Sequence, residues 1–258
     1  MLRKFGYSWQ FFKRSLWLIL PVAGIGMAES RLKTQRCTNL VISIAGDSGA
    51  HFLDQTDVQM LLTENGGDPV MGSRLDDVNL NDLESRIRKN KLIKKCQVFR
   101  DLRGNIVVDV EQERPLARWI GTSDNDELQS SDGYYINDDG VFFPLSESFS
   151  ARTLMVSGSF FKDSKNLKTV KGESLMELMR FLNTDPFWKA QIAQLDADKD
   201  GEIHLITVLG DQRIEFGTAE GFESKFNKLR LFYGEVLSKD WGRYSKISIK
   251  FQDQIVCE

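Results

Sequence analysis

The stretch Ile93–Trp119 constrains the fold most, because it contains a complete β-hairpin followed by a sharp break. Every second residue of Ile106–Val110 is apolar, so these side chains line one face of a strand. Val98 supports an opposed strand before the turn at Arg103–Asn105. The proline that ends Glu113–Pro115 has no N–H to donate to a sheet, so we expect a domain boundary at this point.

A strand and two helices are predicted before the hairpin. The strand is Leu40–Ile44, and the first helix carries apolar residues at helical spacing over Val58–Leu62 after a capping candidate, Asp54. The second helix carries such a stripe over Leu80–Ile87 and begins after Asn79. Since each helix has only one apolar stripe, each must pack on the sheet formed by the strand and the hairpin. The predicted order is therefore strand, helix, helix, strand, strand.

The second half of the chain is richer in strands. Tyr134–Pro144 is a hairpin with Asp139–Gly140 as its turn. In chain order, the remaining predicted elements are a strand at Leu154–Gly158, a helix at Leu175–Leu182, strands at Gln191–Leu195, Glu202–Val208 and Arg213–Gly217, a helix at Phe222–Leu237, an alternating strand at Tyr244–Phe251, and the closing Gln254–Cys257. An alternating strand near the end of a chain, with no helix after it, is a candidate open sheet edge.

Composition excludes several classes of protein. The net charge of −3 has no basic excess, so nucleic acid is not an expected partner. The three cysteines, Cys37, Cys96 and Cys257, lack metal-ligand spacing, and we expect free or buried thiols. Neither histidine, His51 nor His204, lies in a recognisable catalytic pattern, and no phosphate-binding or dinucleotide-binding loop is present. The sequence therefore predicts no enzyme, no cofactor and no small-molecule substrate.

One acidic stretch resembles a calcium-binding loop. Asp196–Ile203 matches the first eight positions of an EF-hand, with Gly201 at the sixth. Thr207 stands at the twelfth position, where a bidentate glutamate is required, and a strand replaces the exiting helix. The same residues make a good hairpin turn, so the sequence favours a turn over a calcium site.

The amino-terminal segment enters a membrane. Basic residues, including Lys13, Arg14 and Arg31, flank the apolar run Leu16–Ala28. The run is shorter than the ~20 residues of a usual spanning helix, so it fits either a short anchor or a cleaved signal peptide. Both alternatives place the bulk of the chain outside the cytoplasm.

Several motifs together resemble the FtsQ/DivIB family of bacterial cell-division proteins. They are Phe52–Val58, an Ile-Lys-x-x-x-Val strand at Ile93–Val98, Glu-Arg-Pro-Leu-Ala at 113–117, Tyr-Ile-Asn-x-x-Gly at 135–140, Ile214–Gly217 and Lys225–Tyr233. The resemblance implies an α+β fold with a single N-terminal membrane helix, a POTRA-like βααββ domain, and a strand-rich mixed α+β domain that ends in a terminal β-strand. The implied boundaries are 1–15 for a cytoplasmic tail, 16–34 for an uncleaved membrane anchor, 38–114 for the POTRA-like domain and 115–258 for the C-terminal domain.

The resemblance also implies a function. It predicts a non-enzymatic, single-pass division scaffold of the cell inner membrane, with its N-terminus cytoplasmic and its bulk periplasmic. Its partners would be other division proteins, FtsB and FtsL, recruited to the septum by β-strand addition to the terminal edge, where Lys250 and Phe251 match a basic-aromatic pair of the family. The predicted partner-binding residues are Tyr244, Ile247, Ser248, Ile249, Lys250, Phe251, Ile255 and Val256.

Two alternatives remain from the sequence. A POTRA-containing component of polypeptide transport or outer-membrane assembly would share the first domain. A plain α+β domain with a blunted sheet edge would share the element order without offering a place for an added strand.

Overall fold

The computed structural model describes residues 35–45, 51–121, 133–209, 212–252 and 254–258. The described part of the chain divides into two compact units, one formed by residues 35–45 with 53–112 and the other by residues 51–52 with the described residues of 113–258. The predicted cytoplasmic tail at 1–15 and membrane anchor at 16–34 lie outside the described residues. No helix of the described ranges is both long and apolar enough to cross a bilayer.

The first unit is a small sheet with two helices. Its elements are β1 (Leu40–Ala45), α1 (Gln55–Leu62), α2 (Leu80–Arg88), β2 (Ile93–Arg100) and β3 (Ile106–Gln112). The strand order is β1-β3-β2, with β1 parallel to β3 and β2 antiparallel to β3. The order strand, helix, helix, strand, strand that the sequence predicts is confirmed.

The helix starts of the first unit follow from local capping chemistry. The Asp54 carboxylate accepts the Asp57 N–H at 2.8 Å, and the Asp57 carboxylate accepts the Asp54 N–H at 2.9 Å, which forms a capping box at α1. The Asn79 side chain accepts the Asp82 N–H at 3.3 Å and begins α2. These caps orient the helices so that their apolar stripes pack on the sheet. Fully buried members of this core include Val58, Leu62, Ile87, Ile106 and Val108.

The second unit is built on a mixed nine-stranded sheet. Its elements are β4 (Pro115–Ile120), β5 (Gly133–Asn137), β6 (Phe142–Pro144), β7 (Leu154–Ser157), α3 (Val170–Thr184), α4 (Pro186–Gln191), β8 (Ile192–Ala197), β9 (Ile203–Thr207), β10 (Arg213–Gly217), α5 (Phe222–Glu235), β11 (Lys246–Ser248) and β12 (Val256–Cys257). The strand order is β12-β11-β10-β9-β8-β7-β4-β5-β6. A mixed α+β architecture with a strand-rich C-terminal region is therefore present.

The helices of this unit share a core with one face of the sheet. In β9, Ile203, Leu205 and Thr207 are buried while His204 and Ile206 between them are not, so only one face of the strand is covered. Trp188 of α4 packs on Phe226 of α5 with 4.7 Å between ring centroids. The sheet therefore has one face under helices and one face with polar and partly exposed side chains.

The Asp-rich stretch forms the β8–β9 turn. The Asp198 carboxylate accepts the N–H groups of Asp200 and Glu202, both at 2.9 Å. Gly201 has φ of +85°, a conformation that favours glycine. The hairpin turn that the sequence favours is confirmed. Within the described part of the chain, His, Cys, Asp and Glu form no group of three or more that could hold a metal ion.

All three cysteines are free thiols. Cys37 and Cys96 are buried in the first unit, whereas Cys257 is partly exposed in β12. Burial raises the pKa of Cys96 to about 11, so this thiol is unreactive at neutral pH.

Candidate partner-binding edge

The nine-stranded sheet has two ends, and they differ in chemistry. At one end lies β6, whose last residue, Pro144, has no N–H to offer. A proline on an edge strand blunts that edge against further pairing. At the other end lies β12, which contains no proline. The β12 end of the sheet is therefore better suited than the β6 end to pair with an added strand.

The terminal strand of the sheet is β12 because β11 is paired on both sides. Ile247 lies opposite Ile214 of β10 in a parallel pair and opposite Cys257 of β12 in an antiparallel pair. Ser248 is held in the same way between Glu215 and Val256. The chain turns back after Ser248, so the predicted strand Tyr244–Phe251 is present only as Lys246–Ser248.

Three of the predicted partner-binding residues, Ile247, Ser248 and Ile249, already have backbone partners within the sheet. Ser248 already has a neighbour on each flank, and the Ile249 N–H donates to the Glu215 carbonyl at 3.0 Å. The side chains of Ile247 and Ile249 are fully buried, and that of Ser248 is buried as well. None of the three can contact a partner without unfolding of the edge.

The backbone N–H and C=O that are open to an added strand belong to Cys257, the residue after Val256. The Lys246 N–H donates to the Glu258 carbonyl at 3.2 Å, and the Glu258 N–H donates to the Lys246 carbonyl at 3.0 Å. Facing residues of antiparallel strands alternate between hydrogen-bonded and non-hydrogen-bonded pairs. Since Glu258 faces β11, the N–H and C=O of Cys257 point away from β11.

A lysine on α5 holds the loop that leads into β12. The Lys228 ammonium donates to the carbonyl of Phe251, to that of Gln252 at 3.3 Å and to that of Gln254 at 3.4 Å. Three carbonyls of one loop thereby point at one cation. These hydrogen bonds connect α5 to the loop that precedes β12.

Ion pairs fix the strands next to the edge. The Lys246 ammonium lies 3.1 Å from the Glu215 carboxylate and 3.7 Å from the Glu258 carboxylate. The hydrogen bond from Lys246 is the main cause that lowers the pKa of Glu215, and the same bond raises the pKa of Lys246. Lys250 pairs with Glu202 at 3.1 Å. These pairs tie β10, β11 and the chain end together.

The remaining predicted side chains differ in exposure. Phe251 and Val256 are 51% and 41% exposed, whereas Ile255 is partly buried against the core. Tyr244 is half-buried, with its ring 6.1 Å from that of Phe232. Phe251 and Val256 are thus exposed apolar residues, one in the loop that precedes β12 and one in β12 itself.

Two family models match the chain. One is described as FtsQ/DivIB, C-terminal related, and covers residues 128–258; the other is described as a POTRA-like domain and covers residues 35–111. The chain belongs to the FtsQ/DivIB family. This is a family of non-enzymatic cell-division scaffolds that are membrane-associated at the septum and interact with other division proteins. Among curated proteins, none matches this chain.

The sequence analysis did not identify two residues that build this edge of the FtsQ/DivIB-family protein. Cys257 carries the outward backbone groups, and Lys228 holds the preceding loop. The apolar alternation of Ile255 and Cys257 could have indicated a second short strand. Nothing in the sequence around Lys228 indicates its contact with a loop more than twenty positions away.

Proposed function

We propose that this chain is a non-enzymatic, bitopic division scaffold that recruits partner proteins to the septum by β-strand addition at β12. The observation that carries the proposal is the orientation of Cys257, whose N–H and C=O point away from β11 at the end of the sheet without a proline. The family assignment supports the same role.

Main-chain pairing supplies the affinity in this mechanism. An incoming strand exchanges hydrogen bonds with Cys257, and each such bond contributes about 0.5–1.5 kcal/mol. Apolar side chains of the partner cover Phe251 and Val256, which are exposed apolar residues in the loop that precedes β12 and in β12 itself. Because side chains alternate between the two faces of a strand, this contact also fixes the register of the added strand.

The proposed partners are FtsB and FtsL, and the proposed location is the cell inner membrane. Residues 16–34 form the anchor in this proposal, with 1–15 in the cytoplasm and the two units in the periplasm. The apolar run Leu16–Ala28 between basic flanks supports an anchor. A fluorescent fusion should form a band at midcell, and an even envelope signal would argue instead for the transport alternative.

The binding test separates the backbone of Cys257 from its thiol. Cys257→Pro removes the outward N–H, while Cys257→Ala keeps it and removes only the sulfur. Co-purification and titration of the full-length chain with the FtsB–FtsL complex measure the affinity. We expect Cys257→Pro to weaken binding tenfold or more and Cys257→Ala to bind as the unchanged chain does.

A second proline variant controls for non-specific damage. Lys199 occupies the second position of the β8–β9 turn, where proline is well tolerated, and its side chain is exposed. Lys199→Pro should therefore leave partner binding unchanged. Equal binding by Cys257→Pro and by the unchanged chain would reject the proposed site.

A further inference from the structure

A groove in the second unit is lined by several basic side chains. In the order of the sheet, it lies several strands away from β12. Its main part is a cavity of about 700 Å³ lined by Arg114, Arg152, Arg180 and Lys189 among other residues. An adjoining cavity of about 400 Å³ shares Arg152 and Lys189 and adds Arg118. We call these two cavities together the basic groove.

The charge of the basic groove is largely uncompensated. Among the described residues, Asp138 is the one acidic residue that lines it, and Arg180 already engages Asp138 through a 2.7 Å hydrogen bond to its carbonyl and a 3.9 Å ion pair. Within the described ranges, the side chains of Arg114, Arg152 and Lys189 make no hydrogen bond or ion pair, and only the backbone N–H of Lys189 donates, to the Asp185 carbonyl at 2.9 Å. All three side chains are exposed, so they are available to an anionic ligand.

The walls of the groove are held by hydrogen bonds. The Thr153 hydroxyl donates to the Leu116 carbonyl at 2.6 Å, and the Asn183 amide donates to the same carbonyl at 2.9 Å. The Ala151 N–H donates to the Tyr135 hydroxyl at 2.9 Å. The segment that carries Arg152 is therefore fixed on both sides, and a preformed site loses less entropy on binding.

The adjoining cavity gives the basic groove an apolar part. Its lining includes Leu154, Met155, Leu182, Trp188 and Ile192. Burial of apolar surface contributes about 25 cal/mol per Å², so an occupant gains from apolar groups as well as from negative charge. A phosphate polymer has no apolar groups to place there, whereas a polypeptide has both kinds of side chain.

We propose that the basic groove binds an acidic polypeptide segment in which Asp or Glu stands next to a large apolar residue. The carboxylates lie against Arg114, Arg152 and Lys189, and the apolar side chain enters the cavity beside Leu154 and Leu182. The groove adjoins β4 and β7, whereas the proposed strand-addition site is β12 at the sheet end. The inference therefore goes beyond the proposed function and does not depend on it.

Selection from a random dodecapeptide display library on the purified full-length chain tests this inference. We expect the selected peptides to be enriched in Asp or Glu beside Leu, Ile or Phe. Synthetic fluorescent copies then give dissociation constants by anisotropy. Binding should weaken on raising the salt concentration, because exposed charges are screened.

Charge reversal locates the binding. The double substitution Arg114→Glu with Arg152→Glu should weaken the selected peptides tenfold or more, and Lys199→Glu, an equally exposed reversal outside the groove, should leave them unchanged. Circular dichroism and thermal unfolding verify that each variant is folded.

Three results would overturn the inference: selected peptides without acidic residues, undiminished binding by the double variant, or tight binding of inorganic polyphosphate without peptide binding. Cys257→Pro should bind the selected peptides normally, so failure here and failure of the strand-addition site are distinguishable.

Discussion

Ile247 of β11 and Cys257 of β12 lie directly opposite each other in an antiparallel pair, and Cys257 is the outer member. Ile247 has a second partner, Ile214, on its other side and is fully buried. Substitutions at these two positions should therefore act in different ways. A change at Ile247 acts on the stability of the unit, and a change at Cys257 acts on what the unit can bind.

Ile247→Ala should lower the free energy of unfolding by about 2–5 kcal/mol, the usual cost of truncating a buried Ile. Ile206→Ala is the matched control, because Ile206 is 38% exposed and lies on the face of the sheet that the helices do not cover. We expect the control to cost about 1 kcal/mol or less. Urea unfolding of both variants measures the difference, and equal costs would show that Ile247 is not in the core.

Lys228→Met should loosen the chain end while leaving the rest of the second unit folded. The variant leaves the carbonyls of Phe251, Gln252 and Gln254 without the ammonium donor. We expect faster amide exchange at Val256 and Glu258 and a loss of about 1 kcal/mol in global stability. Lys239→Met, at an exposed lysine of the same unit, should change neither quantity. Unchanged exchange in Lys228→Met would show that this contact does not hold the loop.

The ion pair of Glu215 with Lys246 makes stability depend on pH at both extremes. The pKa of Glu215 is below its ordinary 4.5, so its contribution is present above about pH 4.5 and is lost as the pH falls through the lowered value. The pKa of Lys246 is above its ordinary 10.5, so its contribution is present below about pH 10.5 and is lost as the pH rises through the raised value.

In a plot of the free energy of unfolding against pH, measured by urea unfolding, Glu215→Gln should therefore reduce the slope of the acid limb. Glu235→Gln, at an exposed glutamate near the end of α5, serves as the control and should leave the limb unchanged. An acid limb of equal slope in Glu215→Gln and the unchanged chain would contradict the assigned ion pair.

Gly158→Ala should be severely destabilising, because Gly158 has φ of +102° and an added Cβ would lie 2.1 Å from the Ala197 carbonyl oxygen. Backbone strain and overpacking together predict a cost of about 3 kcal/mol or more. Gly221 also has a positive φ, +62°, but an added Cβ there meets no atom within 4 Å. Gly221→Ala should cost only about 1 kcal/mol, and thermal or urea unfolding distinguishes the two. Similar costs would show that the close approach to Ala197 is absent.

The sequence predicted elements well where local chemistry decides them. Asp54 and Asn79 begin helices through their own side chains, and Gly140 and Gly201 have the positive φ that their hairpin turns require. In each case the determining contacts lie within about four residues, so the pattern is visible in the sequence.

The edge could not be predicted as well, because its contacts are distant in sequence. Alternation of Ile247, Ile249 and Phe251 cannot show that the chain reverses after Ser248. A two-residue strand such as β12 is too short for a periodic pattern. The five cations of the basic groove come from five separate elements or loops, and only the fold brings them to one groove.

Residue-resolved hydrogen exchange of the Cys257 amide, with and without the FtsB–FtsL complex, tests strand addition most directly. We predict that this amide exchanges fast in the free chain, because it points away from β11, and that it becomes strongly protected in the complex. Protection that spares Cys257 while binding is saturated would contradict an added strand at β12.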